Sequence, residues 1–163
     1  MLKIEIWEEN KILRKKSEEI KKIDFKKYLK FGKQMLKYIK DPKNKGVWLA
    51  APQAGENIRL IAVCLPKDWE DEHYPCYIMY NPEILESSDT TETMEEWCLS
   101  LPWIYDEVTR AKKIKIKYFD EKFKEKILFL DYPSSAIVQH EIDHLDGILF
   151  TDRIEKKKNL PFF

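Results

Sequence analysis

One stretch of the sequence, residues 139–147, reads QHEIDHLDG and contains an H-E-x-x-H pattern. Residues four apart lie on the same face of an α-helix, so His140 and His144 can both bind one metal ion. Glu141 lies on the adjacent flank of that helix, within reach of water on the ion. Gly147 is typical of the residue just beyond a helix C-terminus. The stretch therefore predicts a metal-binding helix.

A purely structural interpretation of these histidines is the alternative. In that interpretation both are partly exposed and form charge pairs with Glu141 and Asp143. Two of the three histidines of the chain stand in this one pentapeptide, which favours the metal site. The third, His73, lies in the acidic segment DWEDEHYP and is expected at the surface.

A metal site of this kind needs at least one more protein ligand. A third histidine six residues after the second would complete one zinc pattern, but that position holds Phe150. Glu155 lies near the chain end among lysines, so the ligand is expected upstream. A thiolate is the best remaining candidate. Cys98 lies in a polar segment between strands, whereas Cys64 and Cys76 lie in apolar strands, where we expect free thiols in the core.

The composition limits the compartment and the partners. The chain has 163 residues, with 29 basic and 29 acidic side chains. This balance gives no reason to expect a specific nucleic acid as partner. No segment approaches the roughly 18 apolar residues of a membrane span, and the acidic N-terminal segment is unlike a signal peptide. We therefore expect a cytoplasmic protein without a membrane association, and a monomer.

The remaining segments predict an α+β fold in one domain, residues 1–163. Apolar residues at helical spacing indicate a helix over 24–40, with Asp24 as its N-cap and Gly32 at a close contact. Strand patterns follow at 58–65, 76–85, 112–119 and 124–132, the last two as a hairpin. The strand in 76–85 is expected to end at Asn81-Pro82. A helix follows Pro133, with Ser134 or Ser135 as its cap.

Three separated motifs resemble those of the peptide deformylase family. They are GVWLAAPQAG at 46–55, EWCLS at 96–100 and QHEIDHLDG at 139–147, in the order and at the spacing of that family. The arrangement of elements over residues 8–155 is also similar. The resemblance implies antiparallel sheets around a central metal-binding H-E-x-x-H helix.

The resemblance also implies a reaction and roles for individual residues. The reaction is removal of the N-formyl group from nascent peptides that begin with formylmethionine, which releases formate. The implied metal ligands are Cys98, His140 and His144. Glu141 is the implied general acid/base, and Gln53 and the backbone N–H of Leu99 stabilise the oxyanion. One divalent ion is implied, with Fe(II) favoured by the resemblance, and Zn(II), Ni(II) or Co(II) chemically reasonable.

Two tryptophans depart from the family pattern. Trp48 and Trp97 replace glycines that border the substrate groove, a region implied also to include Gly46, Val47 and Glu96. The indoles can fill the pocket, build a new wall, or pack against the scaffold and leave the groove open. An altered N-acyl or first-residue preference, and a catalytically silent metal-binding scaffold, are therefore the alternative functions. The lysines at 156–158 suggest at most a weak ribosome association.

Overall fold

A computed structural model describes residues 2–44, 46, 48–71 and 74–154. It contains one five-stranded sheet in the order β1-β2-β3-β6-β7 and a two-stranded sheet of β4 and β5, with every strand pair antiparallel. The strands are β1 (Trp48–Ala50), β2 (Leu60–Cys64), β3 (Cys76–Ser87), β4 (Thr91–Cys98), β5 (Leu101–Ala111), β6 (Lys113–Phe119) and β7 (Glu125–Asp131). The helices are α1 (Phe25–Lys40) and α2 (Ser134–Leu145). The predicted α+β fold is confirmed.

Strand β2 separates two hydrophobic cores. Its residues are all buried, and alternate side chains point to opposite faces of the sheet. Ile61 and Val63 pack in the core that contains the apolar face of α2. Leu60 and Ala62 pack in the core that contains α1. The two helices therefore lie on opposite faces of the large sheet.

Helix α1 agrees with the helix predicted over 24–40. Its packing against the sheet accounts for the glycine in its interior. Gly32 is buried, and a Cβ atom there would lie 2.7 Å from the hydroxyl oxygen of Tyr80 on β3. The missing side chain lets the helix approach the sheet at this point. Asp24 is the N-cap residue, but its side chain makes no capping hydrogen bond.

Helix α2 is the predicted motif helix, although its start differs from the prediction. Pro133 is the N-cap residue, and neither following serine caps the helix. The Ser134 hydroxyl donates to the carbonyl of Pro66, and the Ser135 hydroxyl donates to that of Lys112. Gly147 follows the helix with φ of +75°, and a Cβ atom there would lie 2.5 Å from the carbonyl oxygen of Arg14.

The prediction that β3 ends at Asn81-Pro82 is wrong. The strand continues to Ser87, with a register irregularity between Tyr80 and Glu83. Asn81 has φ of +49°, and its side chain exchanges two hydrogen bonds with the backbone of Ile20. A β-bulge accommodates the proline because the bulged residues need not donate to the neighbouring strand.

The prediction of free thiols at Cys64 and Cys76 is also wrong. The two residues are register partners on β2 and β3 and form a disulfide. Their separation of 12 residues gave no sign of this, because the pairing follows from how the two strands align. Cys98 is the free cysteine of the described chain. Neither described helix has the length and apolar character needed to cross a bilayer.

Candidate metal centre and its pocket

Three predicted ligands meet beside α2. His140 and His144 project from adjacent turns with ring centroids 5.0 Å apart. Cys98, the last residue of β4, places its Sγ atom 3.2 Å from Nε2 of His144. One potential ligand atom from each of the three residues lies within 4.8 Å of the others, and all three side chains are buried.

The donor set fits a divalent transition metal ion. Nδ1 of His140 is engaged by the Glu96 carboxylate at 2.7 Å, which leaves Nε2 of that ring for a metal. One thiolate and two imidazoles suit Fe(II), Zn(II), Ni(II) or Co(II) and leave a coordination position open for chemistry. The metal-binding interpretation of the histidines is therefore favoured over exposed charge pairs, since both rings are buried.

Glu141 lies beside this cluster with its carboxylate buried. Neither of its carboxylate oxygens has a hydrogen-bond partner among the described residues. Burial, and then the charge of Glu96, raise the pKa of the Glu141 carboxyl well above its ordinary value. A buried carboxyl group without a fixed partner is suited to exchange protons with a small molecule at the same place.

Cys98 and His144 carry no charge before a metal binds. Burial, followed by the charge of Glu141, raises the pKa of the Cys98 thiol to about 12. Burial, followed by the neighbouring His140, lowers the pKa of His144 well below its ordinary value. His144 is thus a neutral donor at neutral pH, whereas Cys98 must lose a proton when it binds a metal.

A buried ionic network supports the first histidine. Arg110 donates to Glu96 from Nε and, at 3.0 Å, from Nη2. It also donates from Nη1 to Asp143 at 2.8 Å, and Arg153 donates to the other oxygen of Asp143 at 2.7 Å. Burial alone would raise the pKa of Glu96, but hydrogen bonds from His140 and Arg110 lower it to about 2. Glu96 is therefore an anion that fixes the orientation of His140.

Sequence reasoning missed Arg110 and Arg153, and it assigned Glu96 to the substrate groove. Glu96 does line the pocket, but its two oxygens are occupied by Arg110 and His140. Arg110 stands just before the lysines of β6, where a basic residue looks like part of a solvated surface. The register of β4 on β5 sets Arg110 opposite Glu92. Only its contacts with Glu96 and Asp143 reveal its buried role.

Gln53 lies on the other side of the thiol. Its Nε2 donates to Cys98 Sγ at 3.3 Å and to Ser100 Oγ at 3.2 Å. Its Oε1 accepts from the backbone N–H of Ala50 at 2.8 Å, which fixes the orientation of the amide. Leu99 stands between Cys98 and Ser100, so its backbone belongs to the same corner. The structure thus brings Gln53 to the cluster, as predicted, and adds Ser100 to it.

An open cavity of about 390 Å³ adjoins the centre at His140. Apart from Glu96 and His140 its lining comprises Trp48, Trp69, Met94, Glu95, Trp97, Tyr132, Ala136 and Ile137. The rings of Trp48 and Trp97 are 6.1 Å apart and form one wall, so they shape the groove without filling it. In the same lining, Nε1 of Trp69 donates to the hydroxyl of Tyr132 at 3.2 Å.

One predicted groove residue, Gly46, is not part of this lining. Gly46 is buried, and a Cβ atom there would lie 2.7 Å from the Leu99 side chain, so this glycine permits the contact between the two motifs. Val47 and His73 lie outside the described residues. Trp69, Met94 and Tyr132 had no recognisable signal in the sequence, because they reach the cavity from separate loops and strands.

A Cys/His/His cluster with a buried glutamate on an H-E-x-x-H helix defines a metal-dependent hydrolase. The sequence profile of the family described as "Polypeptide deformylase" matches residues 1–160. The chain belongs to the peptide deformylase family, and it is a hydrolase.

Individual relatives agree with this assignment. The chain is 42% identical over 150 residues to a peptide deformylase of Brachyspira hyodysenteriae. The aligned region covers 88% of this chain and 75% of that protein. The crystal structure of a peptide deformylase from Thermotoga maritima is similar with a TM-score of 0.80 at 35% identity, over 95% of this chain and 98% of that one. A class I type b enzyme from Acinetobacter baumannii, solved with Met-Ala-Ser bound, has a TM-score of 0.83 at 30% identity, over 94% and 98% of the two chains.

Proposed function

We propose that this chain removes the formyl group from nascent peptides that begin with formylmethionine, at a metal centre formed by Cys98, His140 and His144. The observation that carries the proposal is the position of Glu141. Its buried, unpaired carboxyl group adjoins the Cys/His/His cluster, and His140 belongs both to that cluster and to the cavity wall. The proton carrier, the metal ligands and the peptide pocket thus share one corner of the molecule.

A divalent ion held by the three ligands supplies Lewis acidity, which makes water nucleophilic near neutral pH and polarises the formyl carbonyl group. Glu141 accepts the proton of the attacking water and delivers it to the departing amine. Its raised pKa suits this task, because a carboxylate whose pKa lies above its ordinary value is a stronger base for the proton of the attacking water.

Gln53 and the backbone N–H of Leu99 are the proposed donors to the oxyanion. The Gln53 amide is held by Ala50, and its N–H groups face Cys98 and Ser100. One of these N–H groups donates to the formyl oxygen as negative charge develops there. A fixed neutral donor of this kind typically contributes about 2.7–4 kcal/mol to transition-state stabilisation.

The cavity is the proposed site for the first side chain of the peptide. The indoles of Trp48, Trp69 and Trp97 give it aromatic walls, and thioethers make favourable contacts with aromatic rings. Bound Met-Ala-Ser in the Acinetobacter baumannii relative supports methionine at this position. The two tryptophans in place of glycines therefore set the width of the pocket while the chemistry stays the same.

Further expectations belong to the same proposal. Fe(II) is the favoured ion by family resemblance, with Zn(II), Ni(II) or Co(II) as substitutes that the donor set accepts. We also propose a cytoplasmic monomer. The weak ribosome contact suggested by the lysines at 156–158 falls outside the described residues.

The test is formate release from formyl-Met-Ala-Ser by protein loaded anaerobically with Fe(II). We expect turnover by the wild-type chain, and loss of it by a factor of about 100 or more in Glu141→Gln with the metal content unchanged. The matched control is Glu107→Gln, an exposed glutamate that does not line the cavity, which should retain turnover. The absence of formate with every one of the four metals, or full activity in Glu141→Gln, would overturn the proposal.

A further inference from the structure

The outer face of α1 carries five lysines in one line. Spacings of four and three residues place their side chains on a single helical face, and all five are exposed. At 1.5 Å per residue, the line from first to last is about 21 Å long. We call it the lysine stripe; it consists of Lys26, Lys30, Lys33, Lys37 and Lys40.

The stripe lies in a strongly basic segment, although the basic and acidic side chains of the whole chain balance. Residues 21–43 hold nine of the 29 basic side chains but only two of the 29 acidic ones, Asp24 and Asp41. The remainder of the chain therefore has an excess of acidic side chains, 27 against 20. A neutral protein of this kind presents a strongly positive field on one face only.

The lysines of α1 also differ in pairing from the lysines of the β6–β7 hairpin. Among the described residues, no lysine between positions 21 and 43 forms an ion pair. Five half-buried or exposed lysines on or next to β6 and β7 each have a carboxylate partner, in the pairs Lys112–Glu92, Lys113–Asp131, Lys115–Glu86, Lys117–Glu83 and Lys126–Asp120. Like charges three and four residues apart destabilise a helix. The unpaired stripe is therefore a cost to stability that an external polyanion would remove.

The packing of α1 favours nucleic acid over a membrane as that polyanion. A helix that binds a bilayer surface needs an apolar face to insert between the lipids. The apolar face of α1 is already buried, with Phe25, Met35 and Ile39 in the core against the sheet. The exposed residues of α1 are its lysines and Gln34, and the ammonium groups match the regular charges of a phosphate backbone.

We propose that the lysine stripe binds the phosphate backbone of double-stranded RNA without reading its sequence. Double-stranded RNA is recognised mostly through its shape, its phosphates and its 2′-hydroxyls, for which no base-specific side chain is needed. The choice of RNA over DNA rests on the proposed function, because a nascent peptide is still attached to the RNA-rich machinery that makes it.

The position of the stripe leaves the pocket free. Helix α1 packs on the face of β2 that carries Leu60 and Ala62, whereas α2 and the metal centre lie on the other face. No residue of α1 lines the cavity. The chain can therefore bind RNA through one face of its sheet and a formyl peptide through the other.

The experiment compares two five-residue variants of the full, metal-loaded chain. In the stripe variant, the five stripe lysines are changed to Gln, which has a similar helix propensity. In the control variant, the five paired lysines at 112, 113, 115, 117 and 126 are changed to Gln. Binding to a 20-base-pair RNA duplex of arbitrary sequence is measured by fluorescence anisotropy between 50 and 200 mM salt. Hydrolysis of formyl-Met-Ala-Ser is measured alongside.

We expect wild-type affinity to fall by roughly 500-fold across this salt range if all five lysines neutralise phosphates. The stripe variant should bind at least tenfold more weakly at 100 mM salt, with a flatter salt dependence, and should hydrolyse the peptide at the wild-type rate. The control variant should bind RNA like the wild type. If the stripe variant fails to fold, Lys30→Gln with Lys37→Gln repeats the test with a smaller loss.

Three outcomes would overturn the proposal. The first is no binding of the RNA duplex by the wild-type chain at 50 mM salt. The second is an equal loss of affinity in the stripe and control variants. The third is tighter binding to vesicles of anionic lipid, or to a DNA duplex, than to RNA. Each is read from binding alone, so each is distinguishable from a failure of the deformylase reaction.

Discussion

Nδ1 of His140 lies 2.7 Å from Oε2 of Glu96, and this contact orients the first metal ligand of the motif helix. Both side chains are buried, and Arg110 holds the carboxylate from its other side. The ring of His140 therefore presents Nε2 to the cluster before any metal arrives. Partners of this kind typically contribute a factor of 10–100 to metal affinity.

Replacing Glu96 should weaken the metal site without removing a ligand. In Glu96→Gln we expect metal affinity to fall by roughly 10–100-fold, because the amide is a weaker acceptor and no longer neutralises Arg110. Competition with a chelator measures the affinity. Glu95→Gln is the control, since this exposed neighbour contacts neither His140 nor Arg110. Equal affinity in the wild type and Glu96→Gln would contradict the positioning role.

Removing Arg110 should destabilise the fold strongly. Arg110→Met leaves the carboxylates of Glu96 and Asp143 buried without their shared cation, which typically costs about 3–5 kcal/mol. Urea unfolding of the metal-free protein measures the change. Arg153→Gln is the comparison, because that guanidinium binds the same Asp143 but is half exposed, and about 1 kcal/mol or less is expected. Equal losses in the two variants would show that burial of Arg110 does not matter.

Metal affinity should rise with pH. The pKa of the Cys98 thiol is raised to about 12, so the free protein holds this proton through the neutral range and must release it on binding. One released proton makes the apparent affinity increase about tenfold per pH unit. Titrations at pH 7.5, 8.2 and 9.0 measure the slope. Cys98→Ala should lose most of the affinity together with the slope, and a flat wild-type profile would disprove the assignment.

Replacing the two pocket tryptophans by glycine should change which peptides are preferred. Trp48→Gly with Trp97→Gly removes two indoles from the lining of the cavity. The kcat/KM for formyl peptides with a bulky aromatic first residue should therefore rise relative to that for formyl-Met peptides. We expect the ratio of their kcat/KM values to shift by roughly tenfold or more. Trp103→Ala is the control, since Trp103 is 88% exposed and does not line the cavity. An unchanged ratio would mean that the indoles do not limit the pocket.

Opening the disulfide should lower stability. Cys64 and Cys76 are 12 positions apart in the sequence, and closing a loop of that size stabilises a protein by about 3 kcal/mol. Reductant should shift the urea midpoint of the wild-type chain downward by a corresponding amount. The double variant with Ala at both positions should have a lower urea midpoint that does not change with reductant. If reductant still lowered the midpoint of this variant, the Cys64–Cys76 disulfide would not be the cause of the effect.

Local patterns in the sequence were enough for most of the framework and for the two histidines of the metal centre. The helices near residues 24–40 and 134–145 follow from helical spacing, and the β6–β7 hairpin follows from alternation. The spacing of His140 and His144 follows from one turn of helix. These features depend on neighbours a few positions apart, which is the range over which a sequence pattern carries information.

The features that were missed depend on contacts between residues far apart in the sequence. The Cys64–Cys76 bond needs the register of β2 on β3, and the role of Arg110 needs its contacts with Glu96 and with Asp143 on α2. The β4–β5 pair itself was not predicted around Cys98. Overall charge balance likewise concealed the lysine stripe, because an average over the chain does not show on which face the charges lie.

Strand β2 has no surface that faces water, since alternate side chains enter two different cores. A slip of one residue would exchange the two sets, placing Ile61 and Val63 beneath α1 and Leu60 and Ala62 beneath α2. Substitutions in β2 are therefore tolerated only when the new side chain has nearly the same volume as the one it replaces in its core. Among diverged descendants of this chain, these five positions should change least, even though none of their side chains lines the catalytic pocket.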